Sequence, residues 1–476
     1  MPLTLQHKKW FVLLGISFLL MLMLSLYFDN WLIATAPFFI LVIPFVLRQP
    51  VLLLFLLLAT LPLSTEYKFT DTLGTDFPDE FLMITLTGIF VLQLTADPAL
   101  LKKNQVNHGL FALLLVHFIW MVIATIYSEN ILLSVKYLLA KSWYIVSFVL
   151  APLLLFKSKR ILIIAGFCLL LPMLLTALMS IYQHASFGFS FEKINTTLVP
   201  FFRNHVNYGA MLVCLLPVNI AWIYLSSKKI QQLAIVVLLI LLAALLLSYS
   251  RGAWLAVPVA LVLVWAVRKK IVQWVFVTGV VLITMVFVWL ANDNKYLDYR
   301  PDYAKTIFHT DFQQHLAATY RGKDLSTAER FYRWTAVKNM VGANPVTGVG
   351  PNNFYDTYKP FAVSAFKTYV SDNKEHSTVH NYFFLLLTEQ GIFGLLFFLA
   401  LLLGMFWYAQ KIYHKTKDRF YKTIALTVAA MVAAITTVNF LSDLIETDKI
   451  GSLFFLCLGI LLVMDTNQDP DELQSA

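Results

Sequence analysis

The stretch ERFYRWTAVKNMVGANPVTGVGPNNF occupies residues 329–354, and a second piece, HSTVHNYFFLLLTEQGIFG, occupies residues 376–394 and runs directly into an apolar helix. The first piece is polar and carries two arginines, and the second carries two histidines. Both are unexpected in a chain of which 59% is hydrophobic and only 13% is charged. Ionisable side chains at a membrane are costly to place and mark functional sites by default. We therefore expect the chemistry of this protein in this region.

Continuous apolar runs outside this region predict an all-α fold, a polytopic bundle of transmembrane helices. A β-barrel would show alternating apolar and polar residues, and backbone groups in lipid must be hydrogen-bonded within their own segment. Because a full crossing needs about 20 residues, the runs give about fourteen spans, or about twelve if 31–47 and 51–63 form one re-entrant pair. The runs lie near residues 10–28, 31–47, 51–63, 81–96, 110–127, 138–156, 161–182, 209–226, 231–248, 252–267, 271–291, 381–409, 421–442 and 450–464.

Lysine and arginine residues indicate the orientation, because they accumulate in cytoplasmic loops. Their clusters, from Lys8 and Lys9 to the group at 411–422, fall on alternate loops. Both termini are therefore predicted to be cytoplasmic, and the net charge of +9 follows from this pattern. The loops at 64–80, 183–208 and 292–380 then lie on the periplasmic or extracellular face. The longest has near-balanced charge, which predicts a folded, mostly helical cap and no nucleic-acid surface. The predicted regions are 1–200 (N-terminal transmembrane helices), 201–291 (core transmembrane helices), 292–380 (outer loop), 381–464 (C-terminal transmembrane helices) and 465–476 (cytoplasmic tail).

Two arginines lie at the outer ends of predicted helices. Arg251, in SYSRGAW at 248–254, closes one span and opens the next. It is either an interfacial anchor or a guanidinium aimed at a lipid-linked phosphate, and its outward position, against the positive-inside trend, favours the phosphate. Arg203, in FFRNHVNYG at 201–209, stands at the mouth of the following helix. Polar residues there either cap the helix or bind a ligand.

Arg330 and Arg333 lie on a helix predicted for residues 327–341. Arg330 shares an apolar face with Trp334, whereas Arg333 lies about a quarter turn away. A charge on a packing face is rarely there for stability, because burying it unpaired is costly. Arg330 is therefore the expected phosphate ligand, and a structural salt bridge, for instance to Glu329, is the alternative.

His376, His380 and Asn381 stand where the outer loop re-enters the membrane. Imidazole has a pKa near neutral, so it can take a proton from an acceptor hydroxyl. His380, at the interface itself, is the expected general base, and His376 is the alternative. An unperturbed imidazole predicts activity that falls below about pH 6.5.

These pieces resemble the O-antigen ligase superfamily of integral membrane proteins, which includes O-antigen ligases, polysaccharide polymerases and bacterial protein O-oligosaccharyltransferases. SRGAW, then R-x-x-x-W followed by NPVTGVGPNNF, then HNYFFLLLTEQGIFGL come in the family order over roughly residues 200–410. The Arg of SRG is Arg251, the Arg four before Trp is Arg330, and the His of the His-Asn pair is His380. The resemblance implies that these three are catalytic. The substrate-binding residues that we expect around them are Arg203, Arg333, His376 and Asn381.

The resemblance also implies the reaction and its partners. Members transfer a glycan from a polyprenyl-pyrophosphate carrier to an acceptor hydroxyl on the outer face of the bacterial inner (plasma) membrane, without a metal or another cofactor. Direct displacement at the anomeric carbon inverts its configuration. The acceptor is the lipid A core, a glycan or a protein, and membrane lipids surround the chain.

Two other classes of function fit a chain with many spans. A lipid or polysaccharide transporter carries ionisable residues at mid-membrane and no large cap, whereas the helix interiors here look nearly free of charge. A non-catalytic scaffold or sensor needs only the cap as a binding module. Release of polyprenyl pyrophosphate from a glycan donor separates the enzyme from both.

Overall fold

The computed structural model describes Met21, Met23 and residues 49–70, 73–299, 325–366, 371 and 378–466. The chain divides into one unit at Met1–Leu56 and a second at Leu57–Ala476. Of the first unit, the described part is Met21, Met23 and the stretch from residue 49, where helix α1 (Pro50–Thr60) starts. The candidate site lies within the second unit.

The described residues are almost entirely helical, which confirms the predicted all-α bundle. Eleven helices in the described part are long and apolar enough to cross a membrane. Apart from Met21 and Met23, the predicted runs 10–28 and 31–47 lie outside the described residues. Because α1 is also shorter than a full crossing, the total of about twelve to fourteen spans stays a prediction. After α1, the long helices are α2 (Asp79–Ala96), α3 (Gly109–Ile126), α4 (Ile131–Leu155), α5 (Lys159–Ser186), α6 (His205–Leu225), α7 (Lys228–Leu247), α8 (Arg251–Arg268), α9 (Val272–Ala291), α10 (Leu325–Ala343), α11 (Tyr382–Lys415), α12 (Arg419–Phe440) and α13 (Asp448–Thr466).

Helix α12 lies among the other helices and packs against α6, α8, α11 and α13. Alanine recurs along its buried surface, and such small residues let helix backbones approach closely within a membrane. The end of α12, and the turn that follows it, are therefore surrounded by helices that carry predicted site residues. The buried alanines of α12 are Ala425, Ala429, Ala430, Ala433 and Ala434.

Helix α11 is broken at Gly391, which has φ 68° and ψ −171°. The break exposes backbone groups, and the segment 345–350 pairs with them: Ile392 N donates to Pro345 O at 2.9 Å, and Gly350 N donates to Glu389 O at 2.9 Å. A Cβ on Gly391 would collide with Val346 O, so only glycine fits this close approach. The NPVTGVGPNNF run is thus the turn that its Gly and Pro residues predict, and it is fastened to a membrane helix.

A short antiparallel hairpin, which the apolar pattern did not predict, precedes α2. Its strands are β1 (Thr65–Thr70) and β2 (Leu73–Phe77), and Thr65 pairs with Phe77. Arg203 forms a two-point salt bridge with Glu66 on β1. Its Nε lies 2.8 Å from Glu66 Oε2, and its Nη2 donates to Glu66 Oε1 at 3.0 Å. The hairpin therefore holds the loop that leads into α6.

Candidate active site

The turn at 441–446, between α12 and α13, is the point where predicted site elements meet. Arg330 Nη2 of α10 donates to Leu441 O at 3.4 Å. A Cβ on Gly252, next to Arg251, would lie 3.6 Å from Leu441 Cδ1. Tyr382 N, at the start of α11, donates to the carbonyl of residue 442 at 2.9 Å. The start of α8, helix α10 and the start of α11 thus converge on one short segment.

His380 lies immediately before α11 with a left-handed backbone, φ 55°. This conformation is uncommon for residues other than glycine, although asparagine, aspartate and histidine adopt it more often than the rest. It persists because both sides of the residue are held: Trp334 Nε1 donates to Val379 O at 3.2 Å, and Asn381 Oδ1 caps α11 by accepting from Phe384 N at 3.1 Å. A strained residue fixed in this way is typical of a functional position.

Asp443 faces the imidazole, with Oδ1 at 3.8 Å from His380 Nδ1. That separation is too long for a hydrogen bond, so the pair interacts through charge when the ring is protonated. Thr378 Oγ1 donates to the other carboxylate oxygen of Asp443 and fixes its orientation. Burial raises the pKa of Asp443, and the charge of Glu446 raises it further, while the hydrogen bond from Thr378 opposes the increase.

The electrostatics keep His380 neutral. Although 37% of its side chain is exposed, burial, followed by the charges of Arg333 and Arg330, lowers the pKa of His380 to about 3. The expectation of an unperturbed pKa for His380 is therefore wrong, because the local sequence showed neither the burial of the ring nor the two guanidinium groups beside it. A neutral imidazole is the form that accepts a proton.

Arg333 is more buried than Arg330, contrary to the helical-face prediction. Arg333 is 4% exposed, and it donates to Thr378 O at 3.0 Å and to Glu329 Oε2 at 3.3 Å. The prediction failed because the segment 358–366 packs against the other side of α10, so that the buried stripe repeats every four residues instead. The salt bridge to Glu329, which was the alternative for Arg330, is made by Arg333. The buried stripe consists of Ala328, Tyr332, Ala336 and Met340.

Arg251 is the first residue of α8, as the SRGAW pattern predicted. The positive end of the helix dipole therefore adds to the guanidinium charge at this position. Helix α6 packs directly on this start, because a Cβ on Gly209 would lie 2.6 Å from the Cβ of Ser250. Half-buried Arg251 is thus held next to the turn at 441–446.

The other predicted residues lie in different places. Arg203 is 67% exposed and its described contacts join it to the hairpin through Glu66. Asn204, not Arg203, caps α6, by accepting from Asn207 N at 3.0 Å. His376 lies outside the described residues. Asn381 caps α11, and its buried Nδ2 has no hydrogen-bond partner among the described residues.

An apolar cavity of about 350 Å³ lies between α8, α9, α11 and α12. It includes Asn381 in its lining, so it reaches the residue adjacent to His380. Three aromatic rings gather at this end: the ring centroids of Phe287 and Phe384 are 4.7 Å apart, and those of Trp334 and Phe384 are 5.4 Å apart. Its outer wall, α9, is mostly exposed along its length. The lining also includes Leu255, Val259, Gly279, Leu395, Ala433 and Thr437.

Sequence reasoning missed two charged residues inside apolar runs. Lys141 of α4 is buried and pairs with Glu446, Nζ to Oε2 at 2.9 Å. Glu389 of α11 is buried and accepts from Asn352 N at 2.8 Å and Phe354 N at 3.0 Å. The helix interiors are therefore not nearly free of charge, but both charges have protein partners. A lone charge within an apolar span was the available signal.

Within the described residues, no group of three or more His, Cys, Asp or Glu side chains is placed to hold a metal ion. The polar groups that converge are two half-buried arginines, a neutral imidazole and a carboxylate. Such a set can bind a phosphate through the guanidinium groups and accept a proton through the ring.

The many apolar helices, with a polar cluster at one end of an apolar cavity, define a multi-pass membrane protein. A family model described as O-Antigen ligase (Wzy_C) matches residues 236–399. The match supports membership of the O-antigen ligase superfamily, and with it a glycosyltransferase-like enzyme. The matched segment contains Arg251, Arg330 and His380 but ends before the turn at 441–446. No curated protein matches the chain significantly.

Proposed function

We propose that this protein transfers a glycan from a polyprenyl-pyrophosphate carrier to an acceptor hydroxyl on the outer face of the bacterial inner membrane. The observation that supports this best is the placement of His380 and Arg330 beside the end of the apolar cavity that Asn381 lines. An amphiphile with a long apolar tail and an anionic head fits such a combination. Membership of the superfamily supports the same donor class.

The cavity takes the polyprenyl tail. Its lining is aliphatic and aromatic apart from Asn381 and a few threonines. An isoprenoid tail bound there contacts apolar side chains, and no charged group of the lining is left unpaired. Aromatic rings close the Asn381 end of the cavity, so the pyrophosphate lies outside it, beside the turn at 441–446. A head group at this end would lie near Arg330, which supports its proposed role.

Arg251 and Arg330 bind the pyrophosphate. Breaking the bond between the anomeric carbon and the phosphate oxygen develops negative charge on the leaving group, and preorganised guanidinium groups stabilise it. The start of α8 contributes its dipole to the same end. Removing one such donor lowers the rate by a factor on the order of 10²–10³.

His380 is the general base, and Asp443 is the carboxylate that stabilises its protonated form. Because Nδ1 faces Asp443, Nε2 is the nitrogen that takes the proton from the acceptor hydroxyl. The acceptor oxygen forms a bond to the anomeric carbon while the bond to the pyrophosphate breaks, and polyprenyl pyrophosphate leaves with the bonding electron pair. This single displacement inverts the anomeric configuration.

Any acceptor with an accessible hydroxyl satisfies this chemistry. We propose a ligase-type transfer, in which the acceptor is the lipid A core, a growing glycan or a protein. Polymerisation of a growing glycan and O-glycosylation of a protein are the same reaction on other hydroxyls. They are the alternatives within the superfamily, and transport of a lipid-linked polysaccharide is the alternative outside it.

The test is an assay with purified protein, a polyprenyl-pyrophosphate glycan and each acceptor separately. The expected result is release of polyprenyl pyrophosphate that depends on one of these acceptors and that Arg330→Lys largely abolishes. Arg419→Lys is the matched control, because Arg419 begins α12 at the end remote from the turn and donates to Tyr224 O. Movement of intact donor across the bilayer with no release would identify a transporter instead.

A further inference from the structure

Lys141 is a buried charge in the middle of an apolar helix. Its Nζ lies 2.9 Å from Glu446 Oε2 and donates to Ile445 O at 3.4 Å. One helical turn earlier, Tyr137 Oη donates to Glu446 Oε1 at 2.9 Å. A lysine at this depth is costly unless it is paired. Helix α4 therefore fixes the carboxylate of Glu446 through two side chains on one face.

The pair acts on the same turn that carries Asp443. Glu446 lies three residues after Asp443, and Ile445 N between them donates to Asn439 Oδ1 at 2.9 Å. A Cβ on Gly451 would lie 2.5 Å from Ile445 O, so α13 closes the other side. The turn is thus held by α4, α12 and α13 together. Because these contacts fix the turn, they hold Glu446 within ion-pair distance of Lys141.

Several charged groups face this pair and His380 from the surrounding described elements. Arg330 and Arg333 act on His380, and the charge of Glu446 acts on Asp443. The charge of Lys141 opposes that of Glu446, so it weakens the repulsion between the two carboxylates. By element, the groups are Tyr137 and Lys141 of α4, Arg330 and Arg333 of α10, His380 before α11, Tyr382 and Glu389 within α11, and Asp443 and Glu446 of the turn.

We propose that Lys141 is a positioning residue for the transfer reaction, which holds Glu446 and neutralises its charge so that Asp443 stays ionised beside His380. The inference rests on the proposed function. Lys141 itself touches neither substrate nor the reacting atoms, and it lies outside the segment that the family model matches. Its effect reaches the reaction through Glu446 and Asp443.

The experiment is the pH dependence of glycan transfer in full-length variants. Without Lys141, the charge of Glu446 is uncompensated, Asp443 takes up a proton more readily, and activity is lost at a higher pH as the pH falls. Lys141→Met should therefore move the acid limb of the profile upward by on the order of one pH unit. Glu446→Gln should move it in the opposite direction. The double variant should behave like Glu446→Gln, because no carboxylate charge is left for Lys141 to neutralise.

The controls separate positioning from structure. Lys141→Arg keeps the charge and should keep the wild-type acid limb, and Lys136→Met removes an exposed lysine from the same helix. If Lys141→Met lowers activity equally at every pH, or if the two single variants move the limb in the same direction, the inference is wrong. If Lys141→Met does not fold, the direction of the shift in Glu446→Gln decides. A wild-type protein that releases no polyprenyl pyrophosphate contradicts the proposed function itself.

Discussion

Asp443 Oδ1 lies 3.8 Å from His380 Nδ1, close enough for charge attraction and too far for a hydrogen bond. The neutral ring is therefore not hydrogen-bonded to Asp443, and it can accept a proton from the acceptor hydroxyl. Formation of the imidazolium draws the two groups together, so the carboxylate contributes only after proton transfer.

The acid limb of the pH profile should therefore follow Asp443 and not the histidine. The pKa of His380 is lowered to about 3, so the ring stays neutral through mildly acidic pH, whereas burial raises the pKa of Asp443 above its ordinary value. As the pH falls, Asp443 takes up its proton first and transfer declines. Asp443→Asn should be slow at all pH values with a flat profile. If this variant still loses activity below about pH 6.5, the group that titrates in the acid limb is a histidine and not Asp443.

Replacing His380 should abolish transfer and leave carrier binding largely intact, because the arginines hold the phosphates. His380→Asn is the better variant, since asparagine tolerates the left-handed backbone that the residue adopts. Transfer and carrier binding should be measured on the same preparation. His376→Ala should retain activity. An active His380→Asn protein beside an inactive His376→Ala protein would assign the base to the other histidine.

Arg251→Lys and Arg330→Lys should each lose most transfer while inserting normally, because a pyrophosphate site uses the planar guanidinium fork and not only its charge. Initial rates at matched expression are the measurement. Full activity in either lysine variant would remove that arginine from the phosphate site.

Arg333→Ala should affect stability more than chemistry. Truncation removes the cation beside the buried carboxylate of Glu329, which keeps its hydrogen bond from Ser371 Oγ, and loss of the charge partner of a buried ion costs up to about 3–5 kcal/mol. Thermal unfolding in detergent should show a lower midpoint. The double variant Arg333→Met with Glu329→Gln should recover part of that loss, because no buried charge is then left unpaired. A stable, inactive Arg333→Ala protein would place Arg333 in the substrate site.

Filling the apolar cavity should weaken binding of long carriers. Gly279 lines the cavity, and a Cβ there meets nothing within 4 Å, so Gly279→Phe extends into space that the tail needs. KM for a long polyprenyl donor should rise, with a smaller change for a short-chain analogue. Gly88→Phe is the matched control, because a Cβ on Gly88 also meets nothing within 4 Å and the residue is not part of the lining. Equal effects on both donors would show that the cavity does not hold the tail.

The topology prediction places both termini in the cytoplasm and the cap on the other face. Reporter fusions at Lys270 and Lys323 should give opposite compartments, because the positively charged loop at 268–270 is predicted to be cytoplasmic. The same compartment for both would overturn the orientation and the assignment of the active face.

Local sequence patterns predicted what depends on neighbouring residues. Helix α10, the turn after it, and Arg251 at the start of α8 follow from caps, breakers and apolar periodicity. The pairing of Lys141 with Glu446 joins two residues that are 305 positions apart in the sequence, so no local pattern contains it. The same is true of the cavity, which four helices form together. The burial of Arg333 was missed because the residues that pack against α10, at 358–366 and at Thr378, come later in the sequence.

The exposed outer wall of the cavity determines how a carrier reaches it. Helix α9 separates the cavity from the hydrocarbon phase and buries little of its own surface. If the cavity holds the polyprenyl tail as proposed, the carrier arrives by lateral diffusion within the bilayer and never as a free solute. The fraction of cavities that are occupied then depends on the mole fraction of carrier in the lipid. Diluting the vesicles at a fixed lipid composition therefore leaves the occupancy of the cavity unchanged.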